Sequence, residues 1–328
     1  MIHPSRGHSF QLINNTVYGS DGLALQYSGD RAVVQNNLFE YNDWSVTNTR
    51  SKSGGLGTVI SNGINDQFIQ NTLRFNGASA GFRPSGRNPV VRLNHIHHQC
   101  WGVLQHDGAG VQFQIGGQTN ALCQNNWVHS NPKYGLRFDG QPPRVGRSAT
   151  MKENVVWKYG GIMIKGESHT VLNNLAFDKR NNKSGDKQGD GCLLCVLKFV
   201  LSNPVEINKD TVVLRNAADV ANGDKKKKKP RGTFPLAGKL VQFNMIGNVR
   251  PEVVDADNLD FRPMEDSKYS KDMVGPYRYD PKSKYYWIPG RQLYKASTPV
   301  PPDGSTTVKV NYGFEYYSRE LWCCNINI

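Results

Sequence analysis

One phrase recurs through the first half of this chain: a short alternating apolar run, an asparagine turn, and a second short apolar run. Its asparagines stand at Asn15, Asn37, Asn71, Asn94, Asn126, Asn154 and Asn174, about 20 to 34 residues apart, within the range of stacked repeat units. The clearest copies are Asn125-Asn126-Trp127-Val128 followed by Gly135-Leu136-Arg137-Phe138-Asp139, and Asn154-Val155-Val156-Trp157 followed by Gly161-Ile162-Met163-Ile164-Lys165. A unit this small cannot bury its apolar face alone, so it must stack on its neighbours. Irregular intervals require a stack whose turns accept insertions.

The local pattern is period two, as in Val33-Val34-Gln35 and in Gly110 to Gln114, which specifies strands rather than helices. Leucines at the fixed offsets of a leucine-rich repeat are missing, and the intervals are too short for propeller blades. The expectation is an all-β chain, a single-stranded right-handed parallel β-helix (a solenoid) with a C-terminal cap and linker. Its asparagines should stack as a ladder of amides. The coil is expected over 1–267, with an insertion at 179–239 that includes a helix over Thr211–Ala221. A cap and proline-rich linker should follow at 268–304, then a truncated or irregular tail at 305–328.

The net charge is +13, and Lys225 to Lys229 supply five of it. That run reads as a solvated loop rather than a nucleic-acid signal. No apolar stretch reaches the roughly 18 residues of a membrane span. The six cysteines set up no metal framework: Cys192 and Cys195 have knuckle spacing but lack a second half. Alternation puts His95 and His97 on one face and His98 on the other, and they read as satisfied turn histidines. No metal or cofactor is assigned, and no calcium site is displayed. Met1 to Arg6 lacks a signal peptide's charged start and apolar core. The chain opens inside a repeat, so its natural start is expected upstream.

The Asn-Asn-x-Val turns and the strand Gly135-Leu136-Arg137-Phe138-Asp139 resemble the right-handed β-helix repeats of the pectin-lyase-like superfamily. Asn258 to Pro263, with Gly275-Pro276-Tyr277, is similar to the closing turn of many secreted members. The resemblance covers roughly Gln11 to Gly304. It implies an extracellular, monomeric carbohydrate-active protein whose partner is a polysaccharide. The superfamily includes lyases, hydrolases and non-catalytic adhesins, and no lyase signature is matched here.

Strand alternation places Leu136, Phe138, Ile162 and Ile164 inside and Arg137, Asp139, Met163 and Lys165 outside. Adjacent coils are about 4.8 Å apart, so Asp139 and Lys165 should be stacked neighbours. Counting from Gly102 puts His106 or Asp107 at the same height, with Arg83 one coil earlier. The expected catalytic set is therefore Asp107, Asp139, Lys165, Arg137 and His106. Arg83, His129, His169 and Gln114 are expected to bind substrate. In a lyase acting on a uronic-acid polymer, Arg137 would neutralise the carboxylate while Lys165 or His106 removed the α-proton. In a hydrolase, Asp107 and Asp139 would flank the bond. The bland alternative is a cross-strand Asp139–Lys165 ion pair, worth under about 1 kcal/mol if exposed. On the catalytic reading, Asp139→Asn abolishes turnover and leaves the melting temperature nearly unchanged.

Overall fold

The structure, a computed structural model, describes residues 7–44, 57–99, 108–131, 133–158, 160–178, 192–200, 205–224, 235–279 and 287–292. Two compact units divide the chain at Arg291. Within the first, the chain visits three parallel sheets in a fixed order, coil after coil. In one coil Leu122–Gln124 lies in the first sheet, Trp127–His129 in the second and Tyr134–Phe138 in the third. Among the described residues these sheets have nine, nine and eight strands. Residue-by-residue pairing, as in Leu122↔Thr150 and Val128↔Val156, keeps every coil in phase with the next.

The doubled asparagine divides two tasks between neighbours. Asn125 has φ 55, the left-handed region that asparagine enters at less cost than most residues. The same corner is left-handed at Asn14, Asn36, Gln70, Leu93, Glu153, Asn173, Arg215 and Phe243. That corner turns the next side chain inward. Asn126 then accepts from the Asn94 backbone N–H at 2.9 Å and donates through its own amide to Asn154 Oδ1 at 2.9 Å. The chain of amides runs from Asn15 through Asn37, Asn71, Asn94, Asn126, Asn154, Asn174 and Asn216 to Asn244.

Asn216 corrects an expectation. Thr211–Ala221 forms no helix; it carries the strands Val212–Leu214 and Ala217–Ala218, with the ladder asparagine between them. Leu194–Phe199 and Ala221–Asp224 pair into the third sheet. Much of the expected insertion is therefore coil, because its apolar residues have a core to fill. Cys192 and Cys195 are joined as a disulfide, and Cys123 is a buried thiol.

The interior is a column of stacked apolar side chains, among them Val91, Cys123, Met151, Ile96, Val128, Val156, Phe82, Val111, Leu136 and Ile162. A second apolar cluster lies outside the coil, against the second sheet. Phe261, Tyr269 and Tyr277 from the C-terminal region pack there on Trp127, Trp157 and Phe177. The region includes an antiparallel pair, Val253–Asp255 with Asp260–Pro263, and a short helix, Lys268–Asp272. The Trp127 indole N–H donates to the Tyr277 hydroxyl at 2.8 Å, which donates to the Trp287 carbonyl. Further on, Gly290 donates to the Leu93 carbonyl, and the Arg291 N–H donates to the Thr72 hydroxyl. The strap thus runs back along the stack toward early coils. Gly290 has φ +96, and a β-carbon there would approach His95 Cβ to 2.9 Å. No helix among the described residues is long and apolar enough to cross a membrane.

Candidate functional site

The third sheet gathers three of the residues expected to be reactive. Leu136 and Phe138 point into the core, so Arg137 and Asp139 stand on the outer side, and Lys165 follows the next strand, Gly161–Ile164. Phe138 lies opposite Ile164, which puts Lys165 one rung above Asp139. Arg137 Nη2 is 2.6 Å from Asp139 Oδ2, and Lys165 Nζ is 2.9 Å from Oδ1. Gln112 donates to Oδ2 at 3.3 Å, and the Gly140 N–H donates to Oδ1 at 3.1 Å. Burial by itself would push the Asp139 carboxyl up; the charges of Arg137 and Lys165, and the hydrogen bonds they donate, hold it below its usual range.

This group is more covered than the exposed cross-strand ion pair of the bland alternative. Arg137 and Lys165 are each 7 % exposed at the side chain and Asp139 is 20 % exposed. Tyr134, Met163, Cys192, Cys195 and Leu197 form an apolar cluster on the same sheet, and the Arg137 guanidinium lies 5.4 Å from the Tyr134 ring centre. Arg83, partly buried, feels the Asp139 charge; its pKa is lowered by burial and supported by that carboxylate.

His106 and Asp107 lie outside the described residues. The height expected for them, that of Asp139, is occupied instead by Gln114, and Gln112 lies opposite Arg137. The strand of that coil is Ala109–Phe113, because Val111 and Phe113 fill the core against Leu136 and Phe138. Gly110-Val111-Gln112-Phe113 repeats Gly135-Leu136-Arg137-Phe138, and aligning those two stretches would have identified Gln112. Gln114 follows Phe113 at the height of Asp139, but the amide that reaches the carboxylate is that of Gln112.

His169, expected to bind substrate, is buried, with 1 % of its surface exposed. Its Nδ1 accepts from the Ala149 N–H at 3.1 Å, and its ring packs 4.9 Å from that of Phe138. Burial lowers its pKa to about 4, against the backbone hydrogen bonds that raise it. The sign of the stability effect follows. The folded chain keeps this imidazole neutral while the unfolded chain protonates it below its ordinary pKa of about 6.5. The unfolded state then binds more protons, so stability falls as pH drops from about 6.5 toward 4. Between those limits we expect Asn in place of His169, which retains the acceptor, to reduce the slope of unfolding free energy against pH. The reduction should reach at most about 1.4 kcal/mol per pH unit, measured by denaturant titration.

His129 lies on the second sheet, away from the Asp139 group. It stands opposite His97, and the two rings stack 4° from parallel with centres 4.7 Å apart. His95 Nε2 is 3.0 Å from His129 Nε2. One ring nitrogen from each of His95, His97 and His129 falls within 4.8 Å of the others. His98 is drawn in as well: φ 51 at this corner brings its Nδ1 to 2.7 Å from His97 Nδ1. Burial is the main reason that all four have lowered pKa values, with His95 and His98 at about 4 and His97 and His129 well below the ordinary imidazole range. The reading of separate turn histidines is thus corrected. His97 and His129 each follow a ladder asparagine by three residues, a count that places them on one column.

At the same corner of earlier coils, Tyr41 stacks on Phe75 at 5.5 Å and lies 6.2 Å from Trp44 and 5.6 Å from Tyr18. Tyr18, Tyr41 and Trp44 are exposed. Trp127 and Trp157 are buried beneath the C-terminal strap.

A search of curated proteins and one of solved structures gave no match. The family model described as "Right handed beta helix region" matches residues 2–176, just over half of the 328 residues. The repeat, the three parallel sheets and that match agree: the chain belongs to the right-handed β-helix family.

Proposed function

We propose that this protein acts on an acidic extracellular polysaccharide as a secreted lyase. The supporting observation is the group on the third sheet, where Asp139 pairs with Arg137 and Lys165 and its charge is felt by Arg83. Cations gathered at one place suit a uronate carboxylate, whose neutralisation acidifies the α-proton. The accessible edge is Asp139, and Arg137 and Lys165 provide charge behind it. An ammonium that donates to a carboxylate offers no lone pair, so Lys165 serves as a cation here. The base falls to His106, outside the described residues. A hydrolase would need a second carboxylate such as Asp107, also outside them.

Binding without turnover is the second reading. It is favoured by the hydrogen bonds and ion pairs that already engage both oxygens of Asp139. The exposed rings of Tyr18, Tyr41 and Trp44 offer faces on which sugars stack. Incubation with alginate, pectate and glycosaminoglycans separates the readings. A lyase raises the absorbance of unsaturated uronate; reducing ends without that absorbance mean hydrolysis. Retention on a glycan array with neither signal means binding alone, and absence of all three removes polysaccharide from the proposal.

A further inference from the structure

We propose that His95, His97 and His129 form a binding site for one divalent transition-metal ion of the zinc class. The site is on the second sheet and does not depend on the polysaccharide reading. Three coil registers build it. Thr72↔His95↔Trp127 is one column, and Arg74↔His97↔His129↔Trp157 is the next but one on the same face. Parallel stacking therefore places imidazoles from two coils side by side, something no single stretch of sequence displays.

The nitrogens point the right way. His129 Nδ1 is 3.0 Å from Ser130 Oγ, and His97 Nδ1 is 2.7 Å from His98 Nδ1. With those Nδ1 atoms engaged, Nε2 is the nitrogen that His97 and His129 have left to offer a metal, and that of His129 meets His95 Nε2. Such outer partners fix ring orientation and tautomer in metal-binding histidines. Two ring nitrogens 3.0 Å apart, as in His95 and His129, cannot both carry protons toward each other. Zinc–imidazole bonds of about 2.0–2.1 Å put neighbouring nitrogens on a tetrahedral ion ~3.3 Å apart. The observed limits of 3.0 and 4.8 Å bracket that separation.

The donor set selects the metal. Three imidazoles, with no carboxylate or thiolate in the cluster among the described residues, disfavour calcium and magnesium and suit zinc, copper or nickel. Three histidines leave zinc a fourth position for water. The rings are held by aromatic walls: Trp157 stacks on His129 at 4.2 Å, Trp127 meets His95 edge-on at 5.8 Å, and Phe75 stacks on His98 at 4.8 Å. The nearby Arg74 is countered by Glu40 at 2.7 Å, which reduces its repulsion of a cation.

The test uses the full chain, stripped of metal and titrated with Zn2+ against a chromophoric chelator. We expect one equivalent to bind, with a rise of several degrees in melting temperature. His97→Gln and His129→Gln should each weaken binding by at least about a hundredfold, beyond the loss typical of an outer partner. His169→Asn should bind as the parent does. Wild-type protein labelled with 15N at histidine gives a readout that does not require the variants to fold. At one equivalent, three imidazoles should shift together and His169 should not. No saturable binding, or binding that leaves these three resonances unmoved, overturns the site and leaves a hydrogen-bonded histidine cluster. Tighter binding of Cu2+ or Ni2+ at the same three resonances supports the site and reassigns its metal within the class.

Discussion

Asn126→Ala is expected to destabilise the coil by about 3–5 kcal/mol, whereas the adjacent Asn125→Gly should cost only a few tenths. The two residues are chemically identical, so the difference isolates position. Asn126 Oδ1 accepts the Asn94 backbone N–H and the Asn94 side-chain amide. Its own amide donates to the carbonyls of Val91 and Gln124 and to Asn154 Oδ1. Alanine leaves a buried backbone N–H and carbonyl without their partners, and each such group costs about 1–3 kcal/mol. Asn125, by contrast, is there for its φ of 55, which glycine adopts freely. Urea titrations of the two variants provide the comparison. Equal losses would mean that the ladder amides contribute no more than the turn does.

The second large effect is expected at Asp139, and it reverses the outcome anticipated from strand alternation. Asp139→Asn should destabilise the protein by about 3 kcal/mol, the low end of the cost of breaking a buried ion pair. The low end applies because one-fifth of the Asp139 side chain is exposed while Arg137 and Lys165 are nearly covered. Adding Lys165→Met should recover part of the loss, since it removes one of the cations that shared the carboxylate. The pH dependence follows from the lowered carboxyl pKa. The contribution is complete above the unfolded value of about 3.9 and fades as pH falls below it. Thermal melts of both variants at neutral pH and in acid supply the measurement. An unchanged melting temperature in Asp139→Asn would show that the fold does not need the carboxylate, and would return it to the substrate.

Much of this was legible because the coil reuses one local code. Alternation identified the inward residues Leu136, Phe138, Ile162 and Ile164, all of which are buried in the core. The same code also paired Asp139 with Lys165 correctly, since both follow an inward residue at the same height. It failed where two phases competed. The run after Gly102 and the run after Gly110 both alternate, and Val111 and Phe113 line the core. At Thr211–Ala221 the helical reading lost to stacking, because Asn216 completes a ladder that a helix would interrupt.

The sequence by itself determined the parallel coil, its asparagine ladder and the pairing across adjacent rungs. Each of these depends on contacts that repeat with the sequence interval. The tertiary structure alone decided what lies outside the coil. Trp127 and Trp157 are covered because the C-terminal strap returns from Phe261 and Tyr277 to reach them. His95 and His129 meet, although 34 residues apart, because stacking converts sequence distance into a single rung. The physical reason is range: alternation is set by backbone geometry between neighbours, whereas burial of an outer face depends on a segment far along the chain.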